Sequence, residues 1–163
     1  MIWLVMGVIG CGKTTLGRAM AERLKIPFYD ADDFHPSANR EKLQRDQPLT
    51  DVDRRPWLES LAAQMAGWEK SGGAVLACSA LKESYRHTLA NSGASMKVIW
   101  VQITPEQAKE RLMSRQHDLV GKFEKILKAQ FADLEAPKNA VVVAANLPTN
   151  RQLELALSGR NSD

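Results

Sequence analysis

Gly7-Val8-Ile9-Gly10-Cys11-Gly12-Lys13-Thr14 fits the pattern G-x-x-x-x-G-K-[ST], and its flanks decide what the fit means. Before it, Ile2-Trp3-Leu4-Val5-Met6 is an unbroken apolar run, expected of a strand buried on both faces. After it, Leu16, Met20 and Leu24 recur at helical spacing. Strand, glycine loop and helix in that order give the pattern a mechanism. The glycines let successive backbone N–H groups face one concavity, and the helix N-terminus adds unpaired donors and the positive end of its dipole. Gly7, Gly10, Cys11, Gly12, Lys13, Thr14 and Thr15 are therefore the expected nucleotide-phosphate set. Lys13 is placed to reach the β- and γ-phosphates of ATP and the Thr14 hydroxyl to hold Mg²⁺.

Outward from the loop, strand and helix patterns alternate, which predicts an α/β fold with a mostly parallel five-stranded sheet and helices on both faces. Phe28-Tyr29-Asp30, residues 74–78, residues 98–103 and residues 140–144 read as strands two to five. A polar helix is expected from Pro36 to Arg45. A longer one carries Trp57, Leu58, Leu61, Met65 and Trp68 on its apolar face, with Pro56 in its first turn. Thr104-Pro105-Glu106-Gln107 reads as a capping box, and so does Thr149 to Gln152 before the final helix. Residues 116–122 break the periodicity with a strongly polar stretch.

Bulk properties bound the function classes. The 163 residues suit a single domain with a sizeable core. A net charge of +3 without any basic block is no argument for nucleic acid, and no apolar run reaches membrane-spanning length. A first strand beginning at Ile2 leaves no room for a signal peptide, so a cytoplasmic location is expected. Cys11 and Cys78 suggest no disulfide framework; a redox pair between them is the minor reading.

The acidic residues narrow the choice among P-loop proteins. Motor-type ATPases place an acid at the end of a later strand, whereas here the third strand ends in Cys78-Ser79. No Asn-Lys-x-Asp guanine-reading motif is present, which argues against a GTPase switch. The acids follow the second strand instead, as Asp30-Ala31-Asp32-Asp33. Strand alternation predicts Asp30 and Asp32 on one side, facing the γ-phosphate. One carboxylate, Asp30, then supports Mg²⁺; Asp32 accepts a hydrogen bond from an acceptor hydroxyl and aligns it for in-line attack. Asp33 and His35 could simply cap the next helix.

Larger segments carry a more selective signal: Asp30-Ala-Asp-Asp-Phe-His35-Pro36-x-x-Asn39-x-x-Lys42, then Pro48-Leu49-x-Asp51-x-Asp53-Arg54-x-Pro56-Trp57-Leu58, then Cys78-Ser79-Ala80-Leu81-Lys82, Tyr85-Arg86 and Leu134-Glu135-x-Pro137. Over nearly its whole length the chain resembles the P-loop gluconokinases, also called the thermoresistant glucokinase family. That resemblance implies ATP-dependent phosphorylation of D-gluconate at its 6-hydroxyl. It also implies a nucleoside-monophosphate-kinase-like fold with a mobile lid, at about residues 115–124 here, and a homodimer.

Gluconate is a polyol with a carboxylate, so its site needs a cation, ideally the arginine fork, and several hydroxyl partners. Arg54 and Arg86 lie in the matching segments and are the carboxylate candidates; His35, Asp32 and Lys82 are the hydroxyl candidates. Arg54 pairing with Asp51 or Asp53 at a helix end is the competing reading. The resemblance also carries Gln130 as a substrate contact and Arg115 as the lid arginine that stabilises the transferring phosphoryl group, with Arg111 one turn before it. The chain departs from the family pattern between Arg115 and Phe123 and at Ala129-Gln130, which bears on the lid, His117 included. Rival readings are a P-loop kinase for shikimate or a nucleoside monophosphate, and a nucleotide-binding regulator without transfer activity.

Overall fold

The computed structural model describes residues 1–115 and 120–158 of the chain. Five strands, β1 (Ile2–Met6), β2 (Phe28–Asp30), β3 (Ala74–Ala77), β4 (Met96–Gln102) and β5 (Ala140–Ala144), form one sheet in the order β2-β3-β1-β4-β5. Every pairing is parallel. The helices are α1 (Lys13–Leu24), α2 (Ser37–Gln44), α3 (Asp51–Lys70), α4 (Glu83–Ala90), α5 (Pro105–Arg115), α6 (Val120–Asp133) and α7 (Thr149–Ser158), with a 3₁₀ turn at Ala31–Phe34. No described helix is long and apolar enough to cross a membrane.

The unbroken apolar run of β1 is explained by its place at the centre, between β3 and β4, with helices against both faces. Trp3 and Val5 point into one core with Leu16 and Met20 of α1, Ala108 and Leu112 of α5, Leu127 of α6 and Ala156 of α7. Ile2, Leu4 and Met6 point into the other with Trp57, Leu61 and Met65 of α3 and Tyr85 and Leu89 of α4. Cys11 belongs to the first core and Cys78 to the second, so the sheet separates the two thiols and both stay free. Because chain connections leave β1 towards β2 on one side while β4 lies on the other, β1 ends at the switch point where open α/β sheets bind ligands.

Two helix starts differ from expectation. α3 begins at Asp51, capped by Thr50 and Asp53 in a reciprocal box, so Pro56 lies inside the helix rather than in its first turn. The ring removes the donor that the Val52 carbonyl would use, and Val52 is 78% exposed, so water can serve that carbonyl. The box at Thr104 and Gln107 forms as expected, with bonds of 3.1 and 3.2 Å. The one at Thr149 does not. Gln152 is buried and turns its amide to the carbonyls of Ala144 and Ala145, each at 3.1 Å, so α7 is docked onto the end of β5.

Candidate active site

The loop after β1 is held from beneath and from both sides. Gly7 has φ 151°, and a Cβ there would lie 2.7 Å from Cys11 Sγ and 2.8 Å from the Val101 carbonyl, so only glycine fits. Gly12, at φ 100°, opens α1 with no side-chain cap and no acid in the first turn, which leaves the first amides for an anion. Lys13 Nζ donates to the Val8 carbonyl at 3.1 Å, so the ammonium lies folded over the loop that it serves. Thr14 and Thr15 are exposed on the first turn.

Two side chains from after β4 brace this loop. Arg111 donates through Nη1 to the Cys11 carbonyl at 3.2 Å and through Nη2 to Ala145 O, tying α5, the loop and the end of β5 together. Gln130 Oε1 accepts the Ile9 amide at 2.7 Å, so α6 reaches the loop directly. Gln130, the expected substrate contact, is a loop contact in this structure through its Oε1. Arg115 is exposed at the end of α5. Of the expected lid, residues 116–119, with His117, lie outside the described residues.

The second wall comes from the end of β2. Alternation does not bring Asp30 and Asp32 together. The chain leaves the extended conformation at Ala31, and Asp30 Oδ1 caps the 3₁₀ turn by accepting the Asp32 amide at 3.0 Å. The turn is pinned by Trp57, whose buried indole donates to the Ala31 carbonyl at 2.8 Å. Asp32 is accessible, yet protein surrounds its carboxyl closely enough that partial desolvation, then the charges of Asp30 and Asp33, raise its pKa against the pull of Lys13. Lys13 and Asp32 therefore share one electrostatic neighbourhood although separate loops supply them.

No three His, Cys, Asp or Glu side chains form a metal cage among the described residues. Mg²⁺ carried on nucleotide phosphates needs none, since it keeps water and takes one or two protein oxygens. The accessible Thr14 hydroxyl and the Asp30 oxygen not used by the turn fit that requirement.

The third wall is a charged network across α3, α4 and α6. Asp51 accepts from Lys82 Nζ at 3.2 and 3.3 Å and from the Tyr85 hydroxyl, which in turn accepts from Arg54 Nη1 at 3.2 Å. Arg54 also lies 3.8 Å from Asp51, and Lys82 lies 3.8 Å from Asp133. The Tyr85 hydroxyl, then Lys82, hold the Asp51 carboxyl below its ordinary pKa. Both readings of Arg54 thus meet in one geometry: it pairs with Asp51 and stays partly exposed beside Lys82. The sequence marks Tyr85 only as part of the selective Tyr85-Arg86 segment, which assigns its hydroxyl no partner. Its polar tip makes it the hub of this network.

His35 stacks on Trp57, ring centroids 4.2 Å apart and planes 19° from parallel. Desolvation, then Arg40 and Arg54, lower its pKa. Arg86, the other carboxylate candidate, is bonded to main-chain oxygens in this structure. It is 7% exposed, and its guanidinium donates to the carbonyls of Ala80 at 2.8 Å, Leu81 at 2.9 Å and Glu135 at 3.0 Å. An arginine buried against three carbonyls holds the β3–α4 loop to the segment after α6.

The model of the family described as shikimate kinase matches residues 9–138. The gluconokinase of Gluconobacter oxydans is 40% identical over 82% of this chain and 75% of its own. The thermosensitive gluconokinase of Escherichia coli is 35% identical over 83% of this chain and 72% of its own. A crystal structure of a gluconokinase from Sinorhizobium meliloti superposes with a TM-score of 0.85 at 34% identity, covering 96% of this chain and 89% of that one. At these identities and coverages the chain belongs to the gluconokinases, within the shikimate-kinase-like P-loop family.

Proposed function

We propose that the protein transfers the γ-phosphoryl group of ATP to the 6-hydroxyl of D-gluconate, giving 6-phospho-D-gluconate and ADP. The observation that carries this is the convergence of Lys13 and Asp32 at one sheet edge, with the Arg54–Lys82 cations on the neighbouring helices. Kinship to gluconokinases selects the acceptor.

In this reading the amides from Gly7 to Thr15 bind the phosphates, and Lys13 leaves the Val8 carbonyl for the β- and γ-phosphate oxygens. Thr14 and Asp30 hold Mg²⁺, which when bound neutralises charge on the β- and γ-phosphates. Arg54 and Lys82 take the gluconate carboxylate and a hydroxyl, exchanging part of their pairing with Asp51. His35 contacts a second oxygen. Asp32 accepts the hydrogen bond of the 6-hydroxyl and aligns it for in-line attack; the proton passes to Asp32 or to solvent as the new P–O bond forms and the ADP oxygen leaves. Arg115, the last residue of α5, stabilises the transferring group when the lid closes. Transfer is direct, with no covalent enzyme intermediate. The homodimer and the cytoplasmic location belong to the same reading.

The test is ADP release with MgATP and a panel of D-gluconate, other sugar acids, glucose, shikimate and nucleoside monophosphates. Gluconate-dependent release is expected. Turnover on shikimate alone would replace the acceptor, and ATP binding without acceptor-dependent release would remove the transferase.

A further inference from the structure

Asn39 is 4% exposed and lies between two partners on different elements. Its Nδ2 is 3.0 Å from the carbonyl oxygen of Asp53 and 3.3 Å from Nδ1 of His35. A carbonyl oxygen only accepts, so the atom facing Asp53 has to be the amide nitrogen. Both hydrogens of that nitrogen are then assigned, one to Asp53 O and one to His35 Nδ1. An imidazole nitrogen that accepts carries no proton. We infer that Asn39 is a positioning residue that locks His35 as the neutral tautomer with its proton on Nε2, presenting a single N–H donor to an acceptor oxygen of the sugar acid. This rests on the proposed gluconate site for the identity of that oxygen; the lock itself does not.

The surroundings reinforce it. Trp57 stacks on one face of the ring and resists its flipping, and the Trp57 indole is itself anchored on the Ala31 carbonyl. Protonating Nδ1 would set a donor against the Asn39 amide. The charged groups that act on the ring are Arg40 from α2, whose Nε donates to the His35 carbonyl at 3.1 Å, and Arg54 from α3; both oppose a second positive charge. The Asp53 carboxylate is occupied by Lys42 at 2.7 Å and by the Thr50 amide at 2.9 Å. A neutral donor is suited to distinguishing an acceptor oxygen from a donor group, which a histidine free to exchange tautomers cannot do.

The experiment is ¹⁵N imidazole NMR of the full-length protein, with His35→Gln used to assign the resonance. His35 is expected to show a bare Nδ1 and a protonated Nε2 at neutral pH, titrating below the ordinary histidine range. A proton on Nδ1, or an imidazolium at neutral pH, would overturn the lock. Asn39→Asp puts an acceptor in place of the donor. It should move the proton to Nδ1, raise the titration point, and raise the KM for gluconate about tenfold while leaving that for ATP unchanged. A folded Asn39→Asp protein with an unchanged His35 titration and unchanged gluconate KM would also sink the proposal. The wild-type spectrum decides the lock if that variant fails to fold. A correct spectrum in a protein inert towards gluconate would indict the function and not the tautomer.

Discussion

The nucleotide loop and the acceptor wall are built in opposite ways. The loop is a contiguous eight-residue segment, Gly7 to Thr14, whose shape follows from glycine conformations and whose ligands are chiefly its own backbone amides. The proposed acceptor wall draws Asp32 and His35 from the segment after β2, Asp51 and Arg54 from α3, Lys82 from the cap of α4 and Tyr85 from α4 itself, and side-chain bonds tie the last four together. A backbone site tolerates change in most side chains and fails at glycine or lysine. A side-chain site distributes its geometry over many residues, so single substitutions there separate binding from chemistry.

Four substitutions set this difference against measurement. Lys13→Ala should have the largest effect, lowering turnover on the order of a thousandfold while the thermal midpoint barely moves; ADP release together with a melting curve checks both. A large loss of stability would mean that Lys13 supports the loop through Val8 rather than serving phosphate. Asp32→Asn comes next, with ATP binding retained and turnover down on the order of a hundredfold, read by nucleotide titration and single-turnover transfer. Near-normal turnover would take Asp32 out of the alignment role.

Arg86→Leu sharpens the boundary of the acceptor wall. Three carbonyls lose their donor, so stability should fall by about 2–3 kcal/mol in urea unfolding, while the gluconate KM of the folded fraction stays within a factor of about two. A selective rise in that KM without destabilisation would return Arg86 to the ligand. Asp53→Asn should have the smallest effect. Lys42, then the Thr50 amide, depress the Asp53 pKa from 3.8 to about 2, so its contribution to stability is present above the unfolded value and is lost as pH falls from about 4 through 2. The variant should melt slightly below the parent at pH 7, with the gap closing as pH falls through 2. Because the pair is exposed, added salt should narrow the gap.

Legibility from sequence followed the same division. The strand–loop–helix unit, all five strands and the capping box at Thr104 were readable because each depends on neighbours within a few residues. The roles of Arg86, Gln130 and Gln152 were not. A family motif can mark a position as specific without saying whether its side chain turns to a ligand or to a carbonyl. Arg86 turns to Ala80, Leu81 and Glu135, the last 49 residues away, and Gln130 turns to Ile9, 121 residues away. The grouping of Asp30 with Asp32 rested on strand alternation, which ends where Asp30 begins to cap a 3₁₀ turn.

The sequence by itself therefore determined the parallel α/β class, the nucleotide loop and the kinship to gluconokinases. Apolar periodicity, glycine placement and long selective segments are properties of the chain read in order. Tertiary structure alone decided which polar side chains face the cleft and which are consumed as braces, and which way Asn39 directs its amide. Those outcomes depend on partners supplied from distant elements, because a buried donor or acceptor bonds to whatever oxygen or nitrogen the packed fold brings within reach.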